Sequence, residues 1–516
     1  TIQAADDALD AAPGYRLRVI GSQTYAETFT VSTNDNLIYI DALTVITSLV
    51  LSGHRNTVIL GASCQLTGDI TLSGNHNKVV FDPLANLDGH VTLSGTANEL
   101  HCGVGANLAT SKTLLLSGAN SKAIFGAEAA IVGVISMTAD DAYCEVGNQS
   151  VVTTSITLET GTGQIFKAGN EVTSTGAIVV SGADAECHFG STANLDDNVT
   201  FSGTGVKASF GSTMNLATTK TLLLSGANAS CIVGAQAAIP GIISMTADDT
   251  YLEIGSQSVI TGATGLITGT GQILKLGNEV TLTGDVTVSA ADAELHMGST
   301  ANLDGNFTIS GVGAKVTLGT TANLATTKTL LMSGANASCI IGAQFACLGI
   351  LSMTADDTYL EIGNQSVITG AQTLATGSGQ VMKFGNDCQL VGNTELQSAD
   401  NELHMGSTAN IDGTVAMTGS NAKMTVGDNS SLAQTLTFAV GTNQKFIAGD
   451  SVQVVGNIAM AGLDSWMEFG SDANLDGTVA ITSSRQTFKV GGQSNLAQTV
   501  TMGAGAGSMF YCGPVT

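Results

Sequence analysis

The phrase LSGAN at 116–120 returns as LSGAN at 224–228 and as MSGAN at 332–336, so the chain repeats itself every 108 residues. A repeat of this kind constrains the fold before any residue is given a role, because copies of one supersecondary unit bury their apolar faces by stacking on each other. A shorter period runs inside the long one. Alternating apolar runs end at Gly126, Gly147, Gly169, Gly190 and Gly211, and Gly234 opens the next copy. Successive markers lie 21 to 23 residues apart, and extended both ways the series gives 24 turns from Gly21 to Gly513, with Asp41 and Asp82 standing at two of the glycine positions.

Each short unit reads as three brief period-2 strands separated by Gly, Asn, Asp or Ser corners, as in VTFSG, VKASFG and MNLAT between Val199 and Thr218. Strands this short cannot make useful hairpins. They can pair with their equivalents one turn later, about 4.8 Å away. The expected fold is therefore all-β: a single three-faced parallel β-solenoid of about 24 coils, 21–22 residues each, with a short N-terminal capping helix. At the strand spacing it would be a rod on the order of 110 Å long. Residues 1–18 are assigned to the capping helix and lead-in, with Ile2, Ala5 and Leu9 at helical spacing and Pro13 ending the helix. Residues 19–516 are assigned to one continuous solenoid with long repeats at about 116–223, 224–331 and 332–439, and no linker interrupts it. The far end, GSMFYCGPVT, carries no comparable cap.

Composition narrows the partners. With 43% apolar but only 4% aromatic residues, the core must be built from Val, Ile, Leu and Ala. A net charge of −25 with 17 Lys and Arg excludes nucleic acid and an anionic membrane surface, both of which need clustered cations. No apolar run reaches 18 residues, so membrane insertion is not expected, and the start lacks the basic and apolar regions of a signal peptide. Nine Cys show neither CxxC nor zinc spacing. Cys144, Cys187, Cys231 and Cys339 fall in strand patterns, which reads as buried free thiols and folding in a reducing compartment.

Glu, His and Asp recur together in ECHFGSTANLDDNVTFSG (186–203), ELHMGSTANLDGNFTISG (294–311) and ELHMGSTANIDGTVAMTG (402–419). Stacking explains them without catalysis. Two places before the marker stand Glu145, Lys167, His188 and Ser209, then Glu253, Lys275, His296 and Thr317, then Glu361, Lys383, His404 and Thr425. Four places before it, Glu186, Glu294 and Glu402 are followed one coil later by Lys207, Lys315 and Lys423, and Glu468 is followed by Lys489 at the two-place position. Opposite charges on adjacent rungs relieve the repulsion of an in-register stack. Asp88, Asp196, Asp304 and Asp412 sit in NLDG or NLDD corners, where Asp serves turn geometry. The first long copy carries Val80 where the others have His.

Asn86 and Asn107, Asn194 and Asn215, and Asn302 and Asn323 are spaced one coil apart. Such columns resemble the Asn ladders of parallel β-helix repeat proteins, as found in bacterial surface fibres, adhesins and phage appendages. The resemblance spans almost the whole chain and is one of architecture, with no family-specific motif. Calcium nonapeptides, EF-hand loops, HExxH, GxSxG, P-loops and dinucleotide fingerprints are absent. No catalytic, cofactor-binding or metal-binding residue is assigned, and no cofactor is expected. The acids in the SMTADD corners (Asp140, Asp141, Asp248, Asp249, Asp356, Asp357) are read as turn formers. A single Trp466 and seven Tyr offer few platforms for stacking sugars. Thr-x-Ser pairs at Thr71/Ser73, Thr92/Ser94, Thr200/Ser202, Thr287/Ser289 and Thr308/Ser310 resemble the arrays of ice-binding solenoids, but the LLLSG and SMTADD coils are expected to break their register.

The expected function is a non-enzymatic structural protein, a self-associating rod in an extracellular fibre, surface layer or virion appendage. It would form a homo-oligomer or filament through its ends, around Phe510 and Tyr511, or through its lateral faces. A glycan- or receptor-binding fibre and an ice-binding solenoid are the alternatives. The location would be extracellular, on a cell surface or on a virion.

Overall fold

A computed structural model describes residues 1–9, 14–503 and 505–513, with the Leu9 side chain excepted. The proposed helix terminator Pro13 lies outside the described residues, as does the apolar role of the Leu9 side chain. The chain divides into two compact units, Thr1–Gly262 and Ala263–Thr516. Each is a parallel β-solenoid of twelve turns, twenty-four in all. The all-β reading with one short N-terminal helix holds.

One turn shows how the sequence makes the coil. Strand Glu186–Phe189 forms face one, Thr192–Leu195 face two and Val199–Phe201 face three. Burial alternates along each, so that Cys187, Phe189, Ala193, Leu195, Val199 and Phe201 point inward while the residues between them point out. Neighbouring coils pair in parallel and in register: Glu186 faces Lys207, Cys187 faces Ala208, and Val199 faces Leu222. Every inward side chain therefore stacks on its equivalent, and large and small residues alternate to fill the interior. Phe166 sits between Cys144 and Cys187, and the Phe189 and Phe210 rings stack at 5.2 Å. In the second unit Phe446, Phe469, Phe488 and Phe510 form a continuous ring column with centroids 5.4 to 5.9 Å apart.

The corners have their own chemistry. Asn120, Asp141, Asn228 and Asp249 adopt φ of 52 to 58°, the left-handed region that Asn and Asp tolerate best among residues with a side chain. Elsewhere coils approach too closely for any side chain. A Cβ on Gly370 would lie 1.7 Å from the Gly349 carbonyl oxygen. Just before face one of the first unit runs a buried amide ladder: the Asn36, Asn56 and Asn77 backbone N–H groups donate to the side-chain oxygens of Asn56, Asn77 and Asn98 at 3.0, 2.9 and 2.8 Å. Each of these four side chains is at most 2% exposed. The sequence reading found only the outer ladder, which is also present, with Asn107 donating to Asn86 at 2.7 Å, Asn215 to Asn194 at 2.8 Å and Asn323 to Asn302 at 2.7 Å.

Helix Ile2–Leu9 lies against the strand Thr24–Val31. Thr1 Oγ1 accepts the Ala4 N–H at 3.0 Å as an N-cap, the Glu27 carboxylate accepts the Ile2 N–H at 2.6 Å, and Gln3 exchanges two hydrogen bonds with the Thr30 backbone. Ile2 is buried, and the buried Asp6 carboxylate accepts the Tyr15 hydroxyl. In strands Val500–Met502 and Met509–Cys512 the inward register positions are uncovered: Met502 is exposed and Phe510 half-buried.

Candidate functional site

The residues singled out as Glu–His–Asp clusters come together as a relay on face one. In the first unit His188 bonds to the Glu186 carboxylate through Nε2 at 3.1 Å and to Ser209 Oγ, one coil on, through Nδ1 at 2.7 Å. In the second unit His296 bridges Glu294 and Thr317 at 3.1 and 2.7 Å, and His404 bridges Glu402 and Thr425 at 2.7 Å on both sides. The alternation of a strand sets this geometry: residues i and i+2 share the outer face, and the hydroxyl is the rung beside the imidazole. Hydrogen bonds from His296 and then Lys315 hold the Glu294 carboxyl below its ordinary value.

Acid, imidazole and hydroxyl are also the ingredients of nucleophilic catalysis. The surroundings do not complete it. Acyl transfer needs free donors aimed at the developing oxyanion, and the backbone donors beside Ser209 already bond between coils. Gly190 N–H donates to the Ala168 carbonyl at 2.9 Å, Gly211 N–H to the Gly190 carbonyl at 3.0 Å, and Ser191 N–H to Asn170 Oδ1 at 2.8 Å. Beside His404 lies an open groove of about 330 Å³, lined among others by Glu361, Gly363, Lys383, Gly385 and Gly406. The Asp corners serve the stack. Asp88 accepts from Gln65 and Asn86, Asp412 accepts from Gln389 and Asn410, and Asp140 takes both the Thr162 N–H and hydroxyl at 2.9 and 3.0 Å. Among the described residues no group of acids, His and Cys is arranged to hold a metal, and no helix is long and apolar enough to cross a membrane.

The structure adds to the sequence reading at two points and corrects it at a third. Lys207, Lys315 and Lys423 do pair with Glu186, Glu294 and Glu402 at 3.9, 3.2 and 3.5 Å. At the two-place position Glu145 and Lys167, Glu361 and Lys383, and Glu468 and Lys489 also stand on adjacent rungs, and there Lys167, Lys383 and Lys489 contact aromatic rings. Lys489 stands opposite Glu468 but lies over the Trp466 ring at 4.1 Å, while Glu468 accepts the indole N–H at 3.0 Å. Likewise Lys122 and Lys167 flank the Tyr143 ring at 5.0 and 5.6 Å, and Glu145 accepts the Tyr143 hydroxyl at 2.5 Å. Second, Val80 does stand where the later copies carry His; one coil on, His101 bonds to Glu99 at 3.0 Å and Lys78 reaches Glu99 at 2.9 Å, but the rung beside His101 is Ile124, so no hydroxyl completes a relay. Burial, and next to it Lys78, pushes the His101 imidazole below its usual value. Third, the LLLSG and SMTADD coils keep the face-three register. Thr92 pairs with Leu115, Leu115 with Ser136, and Ser136 with Thr157. The Cys reading fares better: eight of the nine thiols are buried and free, and Cys512 is exposed. Burial pushes Cys144 and Cys187 up to about 12, which keeps them protonated and inert.

The geometry defines a parallel β-solenoid repeat protein. Beyond that class the chain matches no family model, no curated protein and no solved structure.

Proposed function

We propose that the protein is a non-enzymatic structural component that self-associates into an extracellular fibre, a surface layer or a virion appendage. One observation carries this reading: the conspicuous reactive groups, from the Glu186–His188–Ser209 relay to the Asp140 corner, are used in contacts between adjacent coils. Duplicating such a block adds length without adding chemistry. A second copy would dock through the solenoid ends or its lateral faces. Sedimentation at micromolar concentration together with negative-stain microscopy tests the reading. Higher-order species are expected, and a strictly monodisperse monomer would overturn it. Incubation with bacterial polysaccharides is expected to leave their chain length unchanged; shortening would reassign the relay to catalysis. A glycan-binding face has less support, because the Tyr143 and Trp466 rings are flanked by lysines instead of lying open to sugars. Ice binding keeps a specific observation in its favour, a face-three column in continuous backbone register in which Thr92, Ser136 and Thr157 carry hydroxyls and Leu115 stands between them.

A further inference from the structure

Face three carries few charges: the strand column of face two is also uncharged, but two places on it bears Asp88, Asp196, Asp304, Asp412 and Asp476. Two outward columns of face three are formed by the middle residue of each strand and the residue two places on. In the first unit the rungs Thr71, Thr92, Leu115, Ser136, Thr157 and Val179 stack in register. In the second, Thr287, Thr308, Leu331, Ser352 and Thr373 do the same. Among the described residues the only charges in these two columns are Glu159, between positions 50 and 246, and Glu395, between positions 287 and 503, while the column two places before the middle residue also holds Asp69 and Asp285. In a chain of net charge −25 such neutrality is informative, since the protein's own copies repel one another wherever carboxylates meet. In that leading column apolar side chains also stand out without cover: Ile242 is 42% exposed and Ile350 43%.

From this charge distribution we propose that face three is the lateral interface between two copies of this chain, packed face to face. The proposal rests on the self-association reading above and names its surface. An in-register sheet of Thr, Ser, Val and Leu presents the side chains that pack between stacked sheets about 10 Å apart. A two-fold pairing makes the contact isologous, so each copy offers the same surface and the assembly closes. The ten face-three strands between positions 50 and 246, at about 4.8 Å each and with a width of about 10 Å, offer about 500 Å². That is the size of a weak interface. Association is therefore expected at micromolar rather than nanomolar concentration.

Sedimentation velocity over a concentration series tests this with Thr200→Lys and Thr308→Lys, which place a cation on face three of each unit, against Val151→Lys and Val367→Lys on the exposed outer positions of face two. The face-three pair is expected to weaken association about tenfold or more, and the face-two pair to leave it within about twofold. Far-UV circular dichroism confirms that each variant folds. Independently, Thr308→Cys in a Cys512→Ser background is expected to give a dimer with a short bismaleimide. If the wild type associates but the face-three variants associate equally well and Thr308→Cys gives no cross-link, the choice of surface is wrong while self-association survives. If the wild type is monomeric at every concentration, both fall together. A monomer that slows ice recrystallisation, with the effect lost in the face-three variants, would give the face to ice and overturn the proposal.

Discussion

The buried amide ladder gives the sharpest test of how the coils are held. Asn77 is fully buried; its Oδ1 accepts the Asn56 N–H at 2.9 Å and its Nδ2 donates to the Gly53 carbonyl at 2.7 Å. Asn77→Ala leaves one buried donor and one buried acceptor without partners, while the mutated residue's own N–H keeps its bond to Asn98 at 2.8 Å. Each stranded group costs about 1–3 kcal/mol, so the substitution is expected to destabilise by about 2–6 kcal/mol. Asn107→Ala is the matched comparison. It removes a single 2.7 Å bond to Asn86 on the half-exposed outer ladder, where water replaces the lost partner, and is expected to cost about 0.5–1.5 kcal/mol. The urea midpoint reports both, and hydrogen exchange at the Asn56 amide locates the damage. A midpoint change for Asn77→Ala no larger than that for Asn107→Ala, or an Asn56 amide as protected as in the wild type, would refute the argument that inner amides tie the coils.

Thiol titration with a chromogenic disulfide is expected to find one reactive Cys in the native protein, Cys512, and nine after denaturation; fast modification of any second thiol would contradict the packing of the core columns. Gly370→Ala places a Cβ 1.7 Å from the Gly349 carbonyl oxygen and is expected to destabilise by about 1–3 kcal/mol in a melting experiment, whereas an unchanged melt would show that the coils part easily there. The Glu294 carboxyl titrates below its ordinary 4.5, so its contribution is complete above that pH and is lost as pH falls through the lower folded value. Lys315→Met removes one of its two partners and is expected to flatten the fall in melting temperature below about pH 4.5; an unaltered acid limb would show that Lys315 does not bias the titration.

The coil period was legible because a marker residue and a strict inside–outside alternation mark every turn, and the in-register pairs Lys167–His188 and Lys383–His404 follow directly. Face three was misjudged by counting residues instead of rungs. The extra residues of the LLLSG coil are taken up in the corner around Ser111, where φ is 64°, and strand Thr113–Leu116 starts one position early, so Leu115 still lands on the Thr92 rung. The cation–aromatic rungs were missed because like was compared with like along each column. Tyr143 stands beside Lys122 on one side and sits two places from Glu145, a diagonal relation that a column cannot display. The inner Asn ladder escaped for a different reason. Asn56 and Asn77 precede strands, where Asn ordinarily signals a solvent turn, and only the winding places them inside.

The eight residues TLLLSGAN occur at 113–120 and again, unchanged, at 221–228. Excising everything from the end of one to the end of the other would leave a junction that reads the same as either original. Five turns would vanish from the first unit, and no inward position would change its period. Genes written this way can shorten or lengthen by unequal recombination without inventing a seam, so the length of such a solenoid changes in steps of about 24 Å.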